Sequence, residues 1–270
     1  MSLVANIYQN LKGDRSIWII VAVLSVFSVL TVYSASGSLA YQYRSGNTEF
    51  YLIKQIVVLA MGLGLMYICY QLNYLKYSRI APLLLLIAVP LLLYTLFFGD
   101  AVNDARRWIQ VPIIGLTFQT SDFAKLALII YLARSISSKQ DYIKDFNSAF
   151  VPLLLPVLVI CGLIAPSDLS TAALLFLTCL TMMFIGRVHI YNIGVLLLFG
   201  IVLLALLIII GQFVPELVPR LDTWTSRATD FFTNSEGDYQ VRQAKIAIAD
   251  GGWFGVGPGN SIQRNYLPYA

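Results

Sequence analysis

Apolar residues run through this chain in long blocks rather than in alternation, and short polar clusters separate the blocks. A helix rising 1.5 Å per residue needs about 20 apolar residues to cross a hydrocarbon core of about 30 Å. By that measure the pattern predicts seven membrane helices. They fall at Ile17–Ser36, Ile53–Tyr70, Ile80–Phe98, Phe123–Ile136, Phe150–Ala165, Leu169–Ile185 and Ile190–Phe213. The fourth is short and carries Asp122 and Lys125 at its head, and only the turn Pro166-Ser167-Asp168 divides the fifth from the sixth. After Phe213 the pattern changes: residues 214–270 are polar, mixed in charge and rich in glycine near their end. Within them, Gln240–Asp250 places Val241, Ala244 and Ile248 at helical spacing with Arg242 and Lys245 turned elsewhere, a pattern suited to a helix lying on a membrane surface. The expected architecture is all-α, a polytopic membrane helix bundle over residues 1–213 followed by a large outer loop over 214–270. No closing element accompanies Leu267-Pro268-Tyr269-Ala270, so the chain is expected to be cut short there.

Composition agrees with the pattern and removes other classes. The chain is 58% hydrophobic and 12% charged, against roughly 45–50% and about 25% in soluble domains. A water-soluble fold, a disordered chain and a disulfide-stapled secreted scaffold are excluded on that basis. The net charge of +4 comes from 18 basic and 14 acidic residues with no run of like charge, which records orientation in a membrane rather than a nucleic-acid partner. With the N-terminus inside, the inner face receives Lys12, Arg15, Lys76, Arg79, Arg134, Lys139, Lys144 and Arg187. The outer loops hold Arg44, Arg106 and Arg107, with Lys54 at a boundary. Lys12, Asp14 and Arg15 before the first block resemble a signal anchor, but no convincing small-residue cleavage site follows, so that block is kept as the first span. Cys69, Cys161 and Cys179 all lie in apolar runs, at spacings of neither a metal site nor a disulfide framework, and are expected to be small buried hydrophobes.

Candidate chemistry lies where charge meets the membrane. Asp122 and Lys125 are three apart on one helix face and close enough to pair. The pair either locks the fourth helix into the bundle, or holds Lys125 as a cation in an outward-facing cavity. Arg106-Arg107-Trp108-Ile109 precedes an apolar stretch, Val111–Phe118, too short to cross and expected as a re-entrant segment buried in protein. Two adjacent guanidiniums beside a tryptophan suit either interfacial anchoring or a phosphate-bearing lipid headgroup. Asp168 or Ser167 serves as an N-cap, or Asp168 is a carboxylate opening onto the same cavity as Lys125. The glycines Gly251, Gly252, Gly255, Gly257 and Gly259 follow no strand, so they read as tight turns rather than a dinucleotide loop. His189, the sole histidine, falls in an inner turn where catalysis is not expected.

These stretches together resemble one family. Ala105-Arg106-Arg107-Trp108-Ile109, Phe118-Gln119-Thr120-Ser121-Asp122-Phe123-Ala124-Lys125-Leu126 and Asp168-Leu169-Ser170-Thr171-Ala172 come first. Tyr239-Gln240 with Gln243, Gly255-Val256-Gly257-Pro258-Gly259-Asn260-Ser261-Ile262-Gln263 and Tyr266-Leu267-Pro268 follow in the family's order. The chain is similar to the SEDS proteins of bacterial shape, elongation, division and sporulation, which include FtsW and RodA, and the Gly-Asn-Ser-Ile-Gln run looks closer to the FtsW division branch. Thr120, Asp122 and Ser170 stand where family members usually have proline, glutamate and glycine.

The resemblance implies ten membrane helices, of which seven are read here, and a general-base aspartate lying just beyond Ala270. It implies a peptidoglycan glycosyltransferase that polymerises lipid II at the outer face of the bacterial cytoplasmic membrane, inactive as these 270 residues alone. Such a reaction needs a carboxylate to take a proton from the attacking hydroxyl and cations aimed at the leaving diphosphate. Arg106, Arg107 and Lys125 would then contact the diphosphate or headgroup beside Trp108, Asp122 would orient Lys125, and Asp168 would line the cavity. Gln240, Asn260, Ser261 and Gln263 would shape the outer loop against the sugars. The resemblance makes no cofactor certain, and a divalent cation such as Mg2+ at the diphosphate stays open. The implied partner is a class B penicillin-binding protein, beside lipid II and membrane lipid. A flippase for lipid-linked precursors is the competing class; it should show paired half-domains, and no internal symmetry is seen.

Overall fold

The computed structural model describes residues 14–37, 40, 47–102, 105–111, 116–213, 224–225, 229, 239–257 and 260–266. Lys12 and Arg44 of the expected orientation pattern, most of the polar stretch 214–238, Pro258, Gly259 and the closing residues 267–270 lie outside the described residues. In chain order the helices are α1 (Arg15–Ala35), α2 (Thr48–Gln71) and α3 (Tyr74–Phe98), then strands β1 (Asp100–Val102), β2 (Ala105–Val111) and β3 (Leu116–Gln119). There follow α4 (Thr120–Ser138), α5 (Val151–Ile164), α6 (Leu169–Ile185), α7 (Ile190–Phe213) and α8 (Tyr239–Gly251). Contacts divide the chain into two compact units, Met1–Leu72 with Asp230–Ala270, and Asn73–Thr229. That division follows packing, whereas the expected boundary after residue 213 follows polarity.

In the first unit α1 and α2 are long, apolar and unburied. Asp14 caps α1 by accepting from the Ser16 N–H at 2.8 Å, and this hydrogen bond holds its carboxyl below the usual carboxylate range. Asn47 caps α2 through the Phe50 N–H. Neither helix has a buried residue, and side chains such as Leu24, Phe27, Ile53 and Leu65 are more than half exposed. A helix apolar all round with nothing of the protein to cover it has lipid as its solvent. Gln55 Nε2 donates to Ser28 Oγ at 2.8 Å between the two helices, and the Trp18 and Tyr70 rings meet edge to face.

The second unit holds the core. α3 buries Ala81, Ala88, Leu92 and Thr95, and α4 buries Thr120, Ser121, Ala124, Ala127, Leu128, Leu132, Ser135 and Ile136. The spacing is that of one helix face, and the small residues at the head of α4 let neighbouring backbones close in. α5 adds Leu153, Val157, Ile160, Cys161 and Ile164; α6 adds Ala172, Leu175, Cys179, Leu180 and Met183. Cys161 and Cys179 are buried as expected, but Cys69 is exposed, because α2 has no protein face against which to bury it.

All seven predicted stretches are helical, and among the described residues five helices are long and apolar enough to cross a membrane: Arg15–Ala35, Thr48–Gln71, Tyr74–Phe98, Phe146–Ile164 and Ile190–Ile210. Phe146–Phe150 of the fourth is a π-helical turn leading into α5. α2 and α3 begin five and six residues before the apolar runs that predicted them, because Asn47 and Asn73 start each helix in polar sequence by capping it. Where a re-entrant segment is expected at Val111–Phe118, the described residues are strand. In its place β2 and β3 pair antiparallel, Trp108 opposite Gln119 and Val111 opposite Leu116, with β1 on the other side of β2. Positions 112–115 lie outside the described residues.

This small sheet joins the C-terminus of α3 to the N-terminus of α4, so it lies at the end of the unit that also carries the α5–α6 turn. The opposite end holds Lys76, Arg79, Arg134, Lys139, Lys144 and Arg187 against Asp141 and Asp145. Gln140 Nε2 ties that end together by donating to the carbonyls of Ile136 and Gly186, and Lys139 Nζ donates to the Ser148 carbonyl. His189 sits there too, its Nδ1 accepting from the Tyr191 N–H at the start of α7.

Candidate functional site

β2 carries an extra residue opposite β1, since Asp100 pairs with Trp108 but Ala101 with Arg106, and a bulge of this kind at Arg107 re-aims side chains. Arg106 Nη1 donates to the Phe97 carbonyl at 2.7 Å, a group left without an intrahelical partner at the end of α3 and favourable to a cation. Arg107 turns to the α5–α6 connection. Its Nε and Nη2 both donate to the Ser167 carbonyl, at 2.9 and 2.6 Å, and its Nη1 lies 2.9 Å from Asp168 Oδ2. All three nitrogens of that guanidinium are therefore used, in a fork that lysine lacks.

Asp168 is equally committed. Its Oδ1 accepts from the Thr171 N–H at 3.1 Å and caps α6, while Oδ2 holds Arg107. Both side chains are mostly buried, 21% exposed for Arg107 and 12% for Asp168. Of the two roles expected of Asp168, the N-cap is present, and its other oxygen holds Arg107. The N-cap reading is the one the geometry carries.

Lys125 and Asp122 form the i, i+3 ion pair that their spacing predicts, with Nζ 2.7 Å from Oδ1. Lys125 is 33% exposed and Asp122 60%. Lys125 follows Ser121 by one helical turn and borders the buried stripe of α4, so its amine is at the rim of the packed face. Trp108 is half-buried and pairs with Asp100 of β1. Arg106, Arg107, Thr95, Thr120, Ser121 and Ser167 line a recess of about 10 Å³, enough for about one water molecule. Among the described residues no three His, Cys, Asp or Glu side chains gather as metal ligands.

The remaining candidates belong to the first unit. Gln240 lies in α8, and its side chain is outside the described part. Asn260 Nδ2 donates to the Val256 carbonyl, Ser261 precedes the 3₁₀ turn Ile262–Asn265, and Gln263 Oε1 is buried without a hydrogen-bond partner. Ser167 and Thr95 are additions that sequence reasoning missed. Ser167 acts through its backbone carbonyl, which side-chain identity does not report, and Thr95 was absorbed into an apolar run.

The model of the FtsW/RodA/SpoVE cell cycle protein family matches residues 14–270. The chain belongs to that family. A probable peptidoglycan glycosyltransferase FtsW from Alkalilimnicola ehrlichii is 36% identical over 270 residues, covering 97% of this chain and 65% of that protein. Among solved structures, a chain from a study of polymerisation and crosslinking by a peptidoglycan synthase complex aligns with a TM-score of 0.54 and 26% identity, over 83% of this chain and 64% of that one. The crystal structure of a variant of rod shape determining protein RodA from Thermus thermophilus aligns at 0.54 and 25% identity, over 73% and 60%. This chain thus spans slightly under two thirds of the length of these relatives. As a member of the FtsW/RodA/SpoVE family with several apolar helices, it is a multi-pass protein of the bacterial inner membrane.

Proposed function

We propose that the protein carrying this chain is a peptidoglycan glycosyltransferase that extends glycan strands from lipid II, with the sheet end of the second unit facing the periplasm. The observation that supports this most is the placement of Arg107, Arg106 and Lys125 at one end of the bundle, each fixed by a partner of its own. The opposite end carries six cations against two acids, as a cytoplasmic face does. Names of relatives such as the FtsW protein of Alkalilimnicola ehrlichii point to the same activity.

Chemically, the leaving group is a lipid-linked diphosphate whose charge grows as the glycosidic bond breaks. Fixed cations stabilise that charge without reorganising. Arg107, locked in place, supplies such a field at the recess, and Lys125, at the rim with the more accessible charge, is the side chain free enough to reach a phosphate. Asp122 holds the lysine until the diphosphate replaces it. Of the carboxylates described at this end, Asp122 and Asp168 are both engaged with cations, so neither is assigned as the base. Gln240, Asn260, Ser261 and Gln263 are proposed to face the saccharide. A class B penicillin-binding protein is the proposed partner, supported in general terms by the similarity to a chain of a peptidoglycan synthase complex.

The test is lipid II polymerisation by the full-length protein carrying Lys125→Ala, with expression and thermal stability measured alongside. A drop of at least about tenfold in polymer at unchanged stability is expected, the equivalent of about 1.4 kcal/mol of lost transition-state stabilisation. Undiminished polymer from Lys125→Ala removes the lysine from the mechanism.

A further inference from the structure

Beyond the sheet end of the second unit, the first unit carries a feature with no role in that chemistry. Trp253 and Phe254, adjacent in sequence, are fully exposed at 100% and 101%. They sit in the turn after α8, closed by hydrogen bonds from Gly252 N–H to the Ile248 carbonyl and from Gly255 N–H to the Gly251 carbonyl. Gly252 and Gly255 flank the pair with φ of +54° and +74°, a backbone region open to glycine and strained for other residues. The chain is thereby folded so that two large aromatic side chains touch none of it.

α8 continues the same surface. Gln243, Ala244, Ala247 and Gly251 are half-buried against the chain. Val241 and Ile248, seven residues apart on one stripe, are 46% and 74% exposed. Lys245 lies beside that stripe, and the helix carries Arg242 and Lys245 against the single acid Asp250.

We propose that this turn is a membrane-interface anchor: Trp253 and Phe254 enter the boundary between headgroups and acyl chains, and the Val241–Ile248 stripe of α8 rests on the same surface. Paired, wholly exposed aromatics are unfavourable in water, whereas the interface takes their apolar bodies and leaves the indole N–H at headgroup level. The basic excess of α8 complements anionic headgroups. α1 and α2, two membrane-spanning helices, belong to the same compact unit as this segment, so lipid is at hand. A protein partner is the alternative occupant. The narrow stripe and the flanking lysine suit shallow insertion better than a packed interface.

The test uses the full-length protein in nanodiscs of phosphatidylethanolamine and phosphatidylglycerol, with Cys69, Cys161 and Cys179 replaced by alanine. A nitroxide is attached at Trp253→Cys or, separately, at Asp250→Cys. At position 253, collisions with dissolved oxygen are expected to exceed those with a water-soluble nickel chelate several-fold, and at position 250 the order is expected to reverse. Nickel access at 253 equal to that at 250 overturns the proposal, as does exclusion of both reagents, which marks a protein contact. A second measurement keeps the native cysteines: the emission difference between wild type and Trp253→Tyr should be quenched by brominated acyl chains. An unquenched difference overturns the anchor.

Discussion

Replacing Asp168 with asparagine separates the two jobs that the aspartate performs. Asparagine caps a helix about as well as aspartate, so the bond to the Thr171 N–H survives, while the charge facing Arg107 is lost. Breaking a fully buried ion pair by removing one partner costs about 3–5 kcal/mol. With the partners 21% and 12% exposed, water reaches part of the stranded guanidinium, and the two bonds to the Ser167 carbonyl stay in place. A loss of about 2–3 kcal/mol is therefore expected for Asp168→Asn, below the fully buried figure. Asp168→Ala adds the lost cap, about 1 kcal/mol more. The assay is thermal unfolding of the full-length protein in lipid nanodiscs at one scan rate, completed as a double-mutant cycle with Arg107→Ala. For a chain of this size about 1 kcal/mol shifts Tm by about 2–4 °C, so Asp168→Asn should unfold about 5–10 °C lower. A coupling energy of about 2 kcal/mol is expected from the cycle, against about 0.5 kcal/mol or less for independent sites. Additive losses in the double variant refute the clamp and leave Arg107 as a ligand-facing group that Asp168 does not position. Arg107→Lys should recover little, because one amine cannot make the guanidinium's three contacts.

Two further outcomes follow from packing and polar contacts. A Cβ added at Gly186 would lie 2.5 Å from Ile136 Cγ2 and 3.1 Å from the Met182 carbonyl, so Gly186→Ala should cost about 1–3 kcal/mol, read as a lowered Tm and partly recovered by Ile136→Ala. Gln55→Leu removes the hydrogen bond to Ser28 between two helices that share no buried residue; a loss of about 0.6 kcal/mol, and no more than about 1.7, is expected in the same assay.

Much of the fold was legible because lipid imposes a length on apolar runs, and α6 and α7 carry the bounds that the hydropathy pattern gave them. The Asp122–Lys125 pair was equally legible, since helical geometry alone brings residues three apart together. Helix starts were less so: in α2 and α3 the first turns are polar, and only the capping asparagines mark them. The hairpin of β2 and β3 escaped because its residues are apolar enough to resemble a buried segment, and antiparallel pairing is a relation between segments rather than a property of either.

What the sequence determined by itself is the set of helices, the apolar character that assigns them to a membrane, and the local pair on α4; each depends on residues within a turn or two of one another. What only the tertiary structure decided is where the charges point. Arg106 and Arg107 are neighbours in sequence, yet one ends on the carbonyl of Phe97 and the other on Ser167 and Asp168, 60 positions away in the chain for the Ser167 bond. The bulge in β2 falls at this pair, whose partners differ, and the antiparallel return of the chain through α5 supplies those of Arg107. A side chain's charge is written in the sequence, but its field depends on which distant backbone and carboxylate the fold sets beside it.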